Sequence, residues 1–416
     1  MNRVRGLAVL VLLGSIVAGC GGQASAAEAT SHATRAPGTP SGAARAAAAI
    51  NDFGFDFYRT ALTSGGNAVV SPAGIAMALS MARAGAAGET GSQMDAVLHS
   101  LSAGDINALA QALGGIPGTF KDTMSKDQEV ALRIADAAFA QREEQFEQAY
   151  LDTLASSFGA GLRLVDFAGD PAGAVREIDG WVSDQTQARI PKLLDTLDPL
   201  TRLVLVNAIY MKAPWLSQFD DGNTAPAPFT RLDGSQVSVP TMSQGIDVGS
   251  YAAGTGWQAV ELPYLGGSLA MTIVVPSDLT AFEGTLSGAR FTEITSALKR
   301  TSVELTLPRF KAETKVDLVE TLTTLGMPLA FDSRKADFSA ITKSEPLFIS
   351  AVAHQANISV DEKGTEATAA TAVVVQATAS PAPAPVVHVD RPFIFAVRDT
   401  KSGAILFLGR VMDPSA

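Results

Sequence analysis

Cysteine is nearly absent. The 416-residue chain has one, Cys20, so no intrachain disulfide can form and stability has to come from packing. Histidine is almost as scarce: His32, His99, His354 and His388 never fall at the His-x-x-x-His spacing of a helical metal site, and no metal or cofactor site is expected. No Gly-x-Ser-x-Gly nucleophile elbow and no phosphate-cradling glycine loop occur, so the usual hydrolase and nucleotide-binding readings lose their support. Positive charge is short as well. With 31 basic against 42 acidic residues, and no basic cluster beyond Arg3 and Arg5, nothing attracts nucleic acid. What is plentiful is apolar side chain, 47% of the residues, enough to bury a large core.

The amino end reads MNRVRGLAVLVLLGSIVAGC: a basic start, an apolar run from Leu7 to Leu13 too short to span a bilayer, then small residues. Val17, Ala18, Gly19 and Cys20 resemble a bacterial lipobox, which implies a lipoprotein signal peptide over residues 1–19 and a lipid on Cys20. The chain is then exported and held at the cell envelope or outside the cell. Residues 20–45 are small and polar without apolar periodicity, and are expected to form a flexible, lipid-anchored tether. One large domain follows, residues 46–416, because no comparable linker interrupts it.

Within that domain Ile50, Phe53 and Phe57 recur at helical spacing, and Ser71-Pro72 opens an apolar helix. Helices are also expected over EQAYLDTLASSF and KVDLVETLTTLG. TRLVLVNAIYMKAPW, LAMTIVVP, SVELTLPRF, FIFAV and AILFLGRV are rich in β-branched residues and read as strands. Helices and strands intermix without a βαβ repeat, which points to an α+β fold with mixed sheets. Ser296-Ala297-Leu298-Lys299 and Lys401-Ser402-Gly403 resemble two motifs of penicillin-recognising enzymes. The serine comes too late and the intervening Ser-x-Asn element is missing, so they read as a solvated helix and a hairpin turn.

Asp361 to Pro385, DEKGTEATAATAVVVQATASPAPAP, joins a strand-like half to a comb of prolines. Taken with NAVVSPAGIAMALSMARAGAAGETGSQM from Asn67, VNAIYMKAPWLSQF from Val206, LPRFKAE from Leu307, LGMPLAFDSRKADFSAI from Leu325, ISAVAHQANISVDEKGTEATAAT from Ile349 and the final DRPFIFAVRDTKSGAILFLGRVMDP, the chain resembles the serpins from about Ala46 to its end. The resemblance implies about eight or nine helices and an exposed reactive-centre loop over about 362–389. It also implies a suicide mechanism, in which a protease cuts the loop and the loop inserts into the main sheet with the acyl-enzyme attached. Glu362, Gly364, Thr365, Glu366, Ala367, Ala369 and Thr371 match the hinge, with Thr365 the first residue to insert. Ser71, Asn207 and His354 match a hydrogen-bonded cluster beneath the sheet, where Gly74 replaces a second serine and puts part of the network in question. Trp215 matches the tryptophan where insertion begins, although Met211 replaces the phenylalanine before it.

The residues support this separately. On a strand Thr365, Ala367, Ala369, Thr371, Val373, Val375 and Ala377 would share one face, all small or β-branched, with Glu366 and Gln376 on the other. Pro381, Pro383 and Pro385 cannot join a ladder, so insertion stops before Pro381. Counting the family's hinge length from Glu362 places the reactive bond at Thr378–Ala379, with Ala377 or Ala379 as alternative cut residues. Small side chains there suit elastase-like or subtilisin-like serine proteases. The expected partner is one such protease met by a monomer that is not itself an enzyme. A non-inhibitory serpin acting as a surface binding or chaperone-like protein is the alternative.

Overall fold

Apolar strands without alternation need cover on both faces, and the largest sheet is built that way. The computed structural model describes residues 27–62, 65–366 and 384–416. Eight strands form this sheet: β1 (Ala27–Ala29), β2 (Gly118–Lys121), β3 (Asp127–Gln141), β4 (Leu162–Val165), β5 (Leu203–Pro214), β6 (Phe310–Asp317), β7 (Ala351–Asp361) and β8 (Gly364–Thr365). They lie in the order β1-β4-β3-β5-β8-β7-β6, with β2 paired to β3 off that path. Along β5 only Lys212 escapes full burial. Leu203, Leu205 and Ile209 face the main core, while Val204, Val206 and Ala208 face a smaller one shared with the helix Pro171–Gln185.

Two smaller sheets complete the α+β architecture. One of seven strands is centred on Leu269–Pro276, Phe393–Asp399 and Ile405–Val411, and one of four strands runs Val386–His388, Val303–Pro308, Gln236–Ile246, Ala225–Thr230. Nine α-helices occur among the described residues. Two of them matter most: α1 (Pro40–Ala61) and α2 (Pro72–Arg83). Ser71 caps α2 by accepting the Gly74 N–H, Pro72 occupies its first turn, and Pro72 to Ala82 are all buried under the main sheet.

Two expectations need correction. KVDLVETLTTLG is helical only over Val319–Leu325; Lys315 to Asp317 finish β6, because pairing with β7 outweighs local helical preference. Gly326 ends the helix at φ 118°, as a left-handed cap requires. Residues 27–45 are not a free tether. β1 pairs antiparallel with β4, the Arg35 Nε donates to Asn107 Oδ1 at 2.9 Å, and the Ala36 N–H donates to the Ser156 carbonyl at 2.9 Å. Thr39 then caps α1, which starts six residues ahead of Ala46. A Cβ on Gly38 would lie 2.8 Å from the Ala108 Cα, so the contact is made by having no side chain. Hydrophobic periodicity cannot register contacts of that kind.

A chain that begins at Thr39 should keep its far-ultraviolet spectrum and melt a few degrees lower by calorimetry, since it loses a strand and these hydrogen bonds. An unchanged melting temperature would mean that the segment adds nothing to the fold.

Candidate functional site

The main sheet is partly open at one end. β5 and β7 are parallel neighbours from Val204 opposite Ala351 to Ile209 opposite Ala356. Beyond that they part, and the two residues of β8 fill the gap, antiparallel to both: Thr365 stands opposite Ala213 on β5 and Val360 on β7. β7 turns back into β8 through Asp361, whose Oδ1 accepts the N–H groups of Lys363 and Gly364 at 2.8 and 3.3 Å. Gly364 has φ 146°, and a Cβ there would lie 2.2 Å from the Ala213 carbonyl oxygen, so only glycine fits.

Around this turn each polar group is held from another part of the chain. The Trp215 N–H donates to the Lys363 carbonyl and its indole Nε1 to the Asp361 carbonyl, both at 2.9 Å. Its ring stacks on Tyr264 at 4.4 Å, and the Tyr264 hydroxyl pairs with the buried Thr365 hydroxyl at 2.7 Å. Burial works to raise the Glu362 carboxyl, yet bonds from the Arg309 Nε at 2.8 and 2.9 Å and from the Thr224 hydroxyl outweigh it and leave Glu362 below the usual glutamate range. Glu366 leaves the sheet on the opposite face with φ 51°, its carboxylate 3.3 Å from the Arg189 Nε. A left-handed glutamate stores of order 1–3 kcal/mol of backbone strain that a β conformation would release.

Lower in the gap, a row of polar side chains crosses three strands beneath the sheet. Asp136 on β3, Asn207 on β5 and His354 on β7 share one register level. The Asn207 Nδ2 donates to Asp136 Oδ1 at 2.7 Å, and its Oδ1 pairs with His354 Nδ1 at 2.7 Å. The Ser71 N–H donates to His354 Nε2 at 3.3 Å. Because a backbone N–H can only donate, Nε2 must carry the lone pair and Nδ1 the proton, so the imidazole is neutral. Burial accordingly depresses the His354 pKa to about 3 and raises that of Asp136 to about 8.

A family model described as "Serpin (serine protease inhibitor)" matches residues 48–414. The chain belongs to the serpin family. It is 37% identical over 370 residues to a serpin-like protein of Thermococcus kodakarensis, covering 88% of this chain and 85% of that one. Leukocyte elastase inhibitor A of Mus musculus is 34% identical over 377 residues, 87% of this serpin and 97% of the relative. Among solved structures, the thermophilic serpin tengpin in its native state superposes with a TM-score of 0.81 at 27% identity, covering 94% of this chain and all of that one.

Against the sequence reading, this serpin brings Ser71, Asn207 and His354 together and sets Trp215, Glu362, Gly364 and Thr365 around one turn. Thr365 is paired in the sheet and almost fully buried. The missing serine at Gly74 leaves no hole either, since a Cβ there would lie 2.1 Å from Asn207 Nδ2. Asn207 fills that space and turns its amide to Asp136. Cys20, Ala367, Ala369, Thr371 and the Thr378–Ala379 bond lie outside the described residues. Asp136, Tyr264 and Thr224 were missed because they reach the site through tertiary contact alone. Arg309 sat unexploited inside LPRFKAE.

Two outcomes follow from these contacts. Tyr264→Phe leaves the buried Thr365 hydroxyl without its partner and should lower stability by about 1–3 kcal/mol, read as a lower melting temperature. For pH the signs oppose. His354, depressed from 6.5 to about 3, contributes stability present above 6.5 and lost as pH falls. Asp136, raised from 3.8 to about 8, contributes stability present below 3.8 and lost as pH rises through 8. The melting temperature should therefore be flat between about 4 and 6.5 and decline on either side. Asp136→Asn should remove the alkaline decline between pH 6.5 and 8.

Proposed function

We propose that this serpin is a suicide-substrate inhibitor of serine proteases with elastase-like or subtilisin-like preference, exported and lipid-anchored through Cys20, which traps the acyl-enzyme by drawing its cleaved loop between β5 and β7. The observation that carries the reading is the half-open gap with β8 already seated in it. If β8 is extended at its present register, Thr371, six residues beyond Thr365, falls opposite both Asn207 and His354. Its side chain would share the face of Thr365, so its hydroxyl could accept from His354 and donate to Asn207 in place of the bond that insertion breaks. Ala367, Ala369 and Val373 would lie on the same inner face, and none needs a polar partner. The Thr378–Ala379 bond would come to lie past Leu203, at the far end of β5 from the hinge.

Roughly ten further ladder residues at a net ~0.5–1.5 kcal/mol per hydrogen bond make the inserted form the more stable one. The uncleaved form is then held by a kinetic barrier.

Incubation with pancreatic elastase, subtilisin and trypsin should give a denaturant-resistant covalent complex with one of the first two, cut at or beside Thr378. A complex with trypsin alone would reject the assigned specificity. In Thr365→Arg a guanidinium must be buried beside Tyr264 before and after cleavage, so the variant should be cut as an ordinary substrate without complex. A denaturant-resistant complex formed by that variant would contradict insertion through this gap.

A further inference from the structure

We propose that Asp136 is a positioning residue for loop entry: it holds the Asn207 amide with its oxygen toward the gap, and its ionisation tightens the latch between β5 and β7. The inference rests on the insertion reading above and adds a residue and a pH dependence to it.

Asn207 has two ends. Its Nδ2 goes to Asp136 on β3 and its Oδ1 to His354 across the gap. The antiparallel pairing of β3 with β5 runs unbroken from Ala131 to Ala140, whereas β5 and β7 pair over a short parallel stretch. Separation at the gap therefore breaks the Asn207–His354 bond and keeps the Asp136–Asn207 bond. An amide turned the other way would present a donor to the His354 Nδ1–H, which the Ser71 N–H fixes in place. Asp136 is what prevents that turn.

The carboxyl is also placed to exchange its proton. Asp136 is only half-buried, and its open side faces a cavity of about 340 Å³ lined by Met77, Met81, Leu132 and Phe158. The charged groups around it are Arg35 from the amino-terminal segment and Arg133 from its own strand, both lining that cavity, with neutral His354 across the sheet. Among the described residues neither arginine is hydrogen-bonded to it, and Asn207 is its one hydrogen-bond donor.

When the carboxyl is neutral it accepts an ordinary hydrogen bond. When ionised it accepts a charge-assisted one, which polarises the amide and makes Asn207 Oδ1 the better acceptor for His354. A strengthening of ~10–30% in one hydrogen bond corresponds to a change of up to about twofold in the rate of opening.

The test uses the full chain at pH 6.5 and 9.5. In the uncleaved protein, hydrogen exchange of the β5 and β7 amides, corrected for its intrinsic pH dependence and for the loss of global stability above pH 6.5, should show protection at Leu205 to Ile209 and Val352 to Ala356 rising by up to about twofold. After cleavage of the loop by a cysteine protease, the gain in thermal stability should develop more slowly by a similar factor. Asp136→Asn should flatten both profiles, and Asp136→Glu, which keeps an acid there, should retain a slope. Protection that is flat in the wild type, that falls with pH, or that stays pH-dependent in Asp136→Asn would overturn the proposal. Failure of the inhibitor reading looks different: exchange still responds to Asp136, but cleavage brings no stabilisation at any pH.

Discussion

The hydrogen bond between Asn207 and His354 sits where, under the proposed mechanism, this serpin must be both closed and able to open. Strands in a sheet are normally tied by backbone bonds along their length, but β5 and β7 share only a short parallel stretch before β8 takes the space between them. A side-chain bond at the middle of that stretch, tied through Ser71 to the first turn of α2, adds to the closure. Its surroundings are set to keep it neutral and directional. The imidazole is locked by a backbone donor on one side and an amide acceptor on the other, so neither ring nitrogen is free to change role.

The hinge repeats this logic at the open end. Gly364 approaches the β5 backbone more closely than any side chain would permit, Tyr264 satisfies the Thr365 hydroxyl, and Arg309 holds Glu362 charged within the turn. Glu366 has an unfavourable left-handed backbone, and it directly follows β8. Thr365 is thus already paired between β5 and β7. Under the proposed mechanism the barrier lies further down, at the row that Asp136 anchors.

Much of the fold was legible because its strands are unbroken apolar runs and α2 announces itself through Ser71-Pro72. The end of β6 was misread since Lys315 to Asp317 carry no local signal of the strand beside them. The amino-terminal segment was misread for a related reason: Gly38 and the Ala36 backbone make contacts that composition reports as linker.

The sequence by itself determined the family and the α+β class and offered the candidate hinge and reactive segment, because each is a property of residues contiguous in the chain: a motif, a period or a run of small side chains. Tertiary structure decided what those residues touch. That Thr365 is already paired, that Gly74 makes room for Asn207, and that a carboxyl at Asp136 closes the row all depend on strand register. Register brings together positions such as Asn207 and His354, 147 residues apart, and no local pattern encodes it.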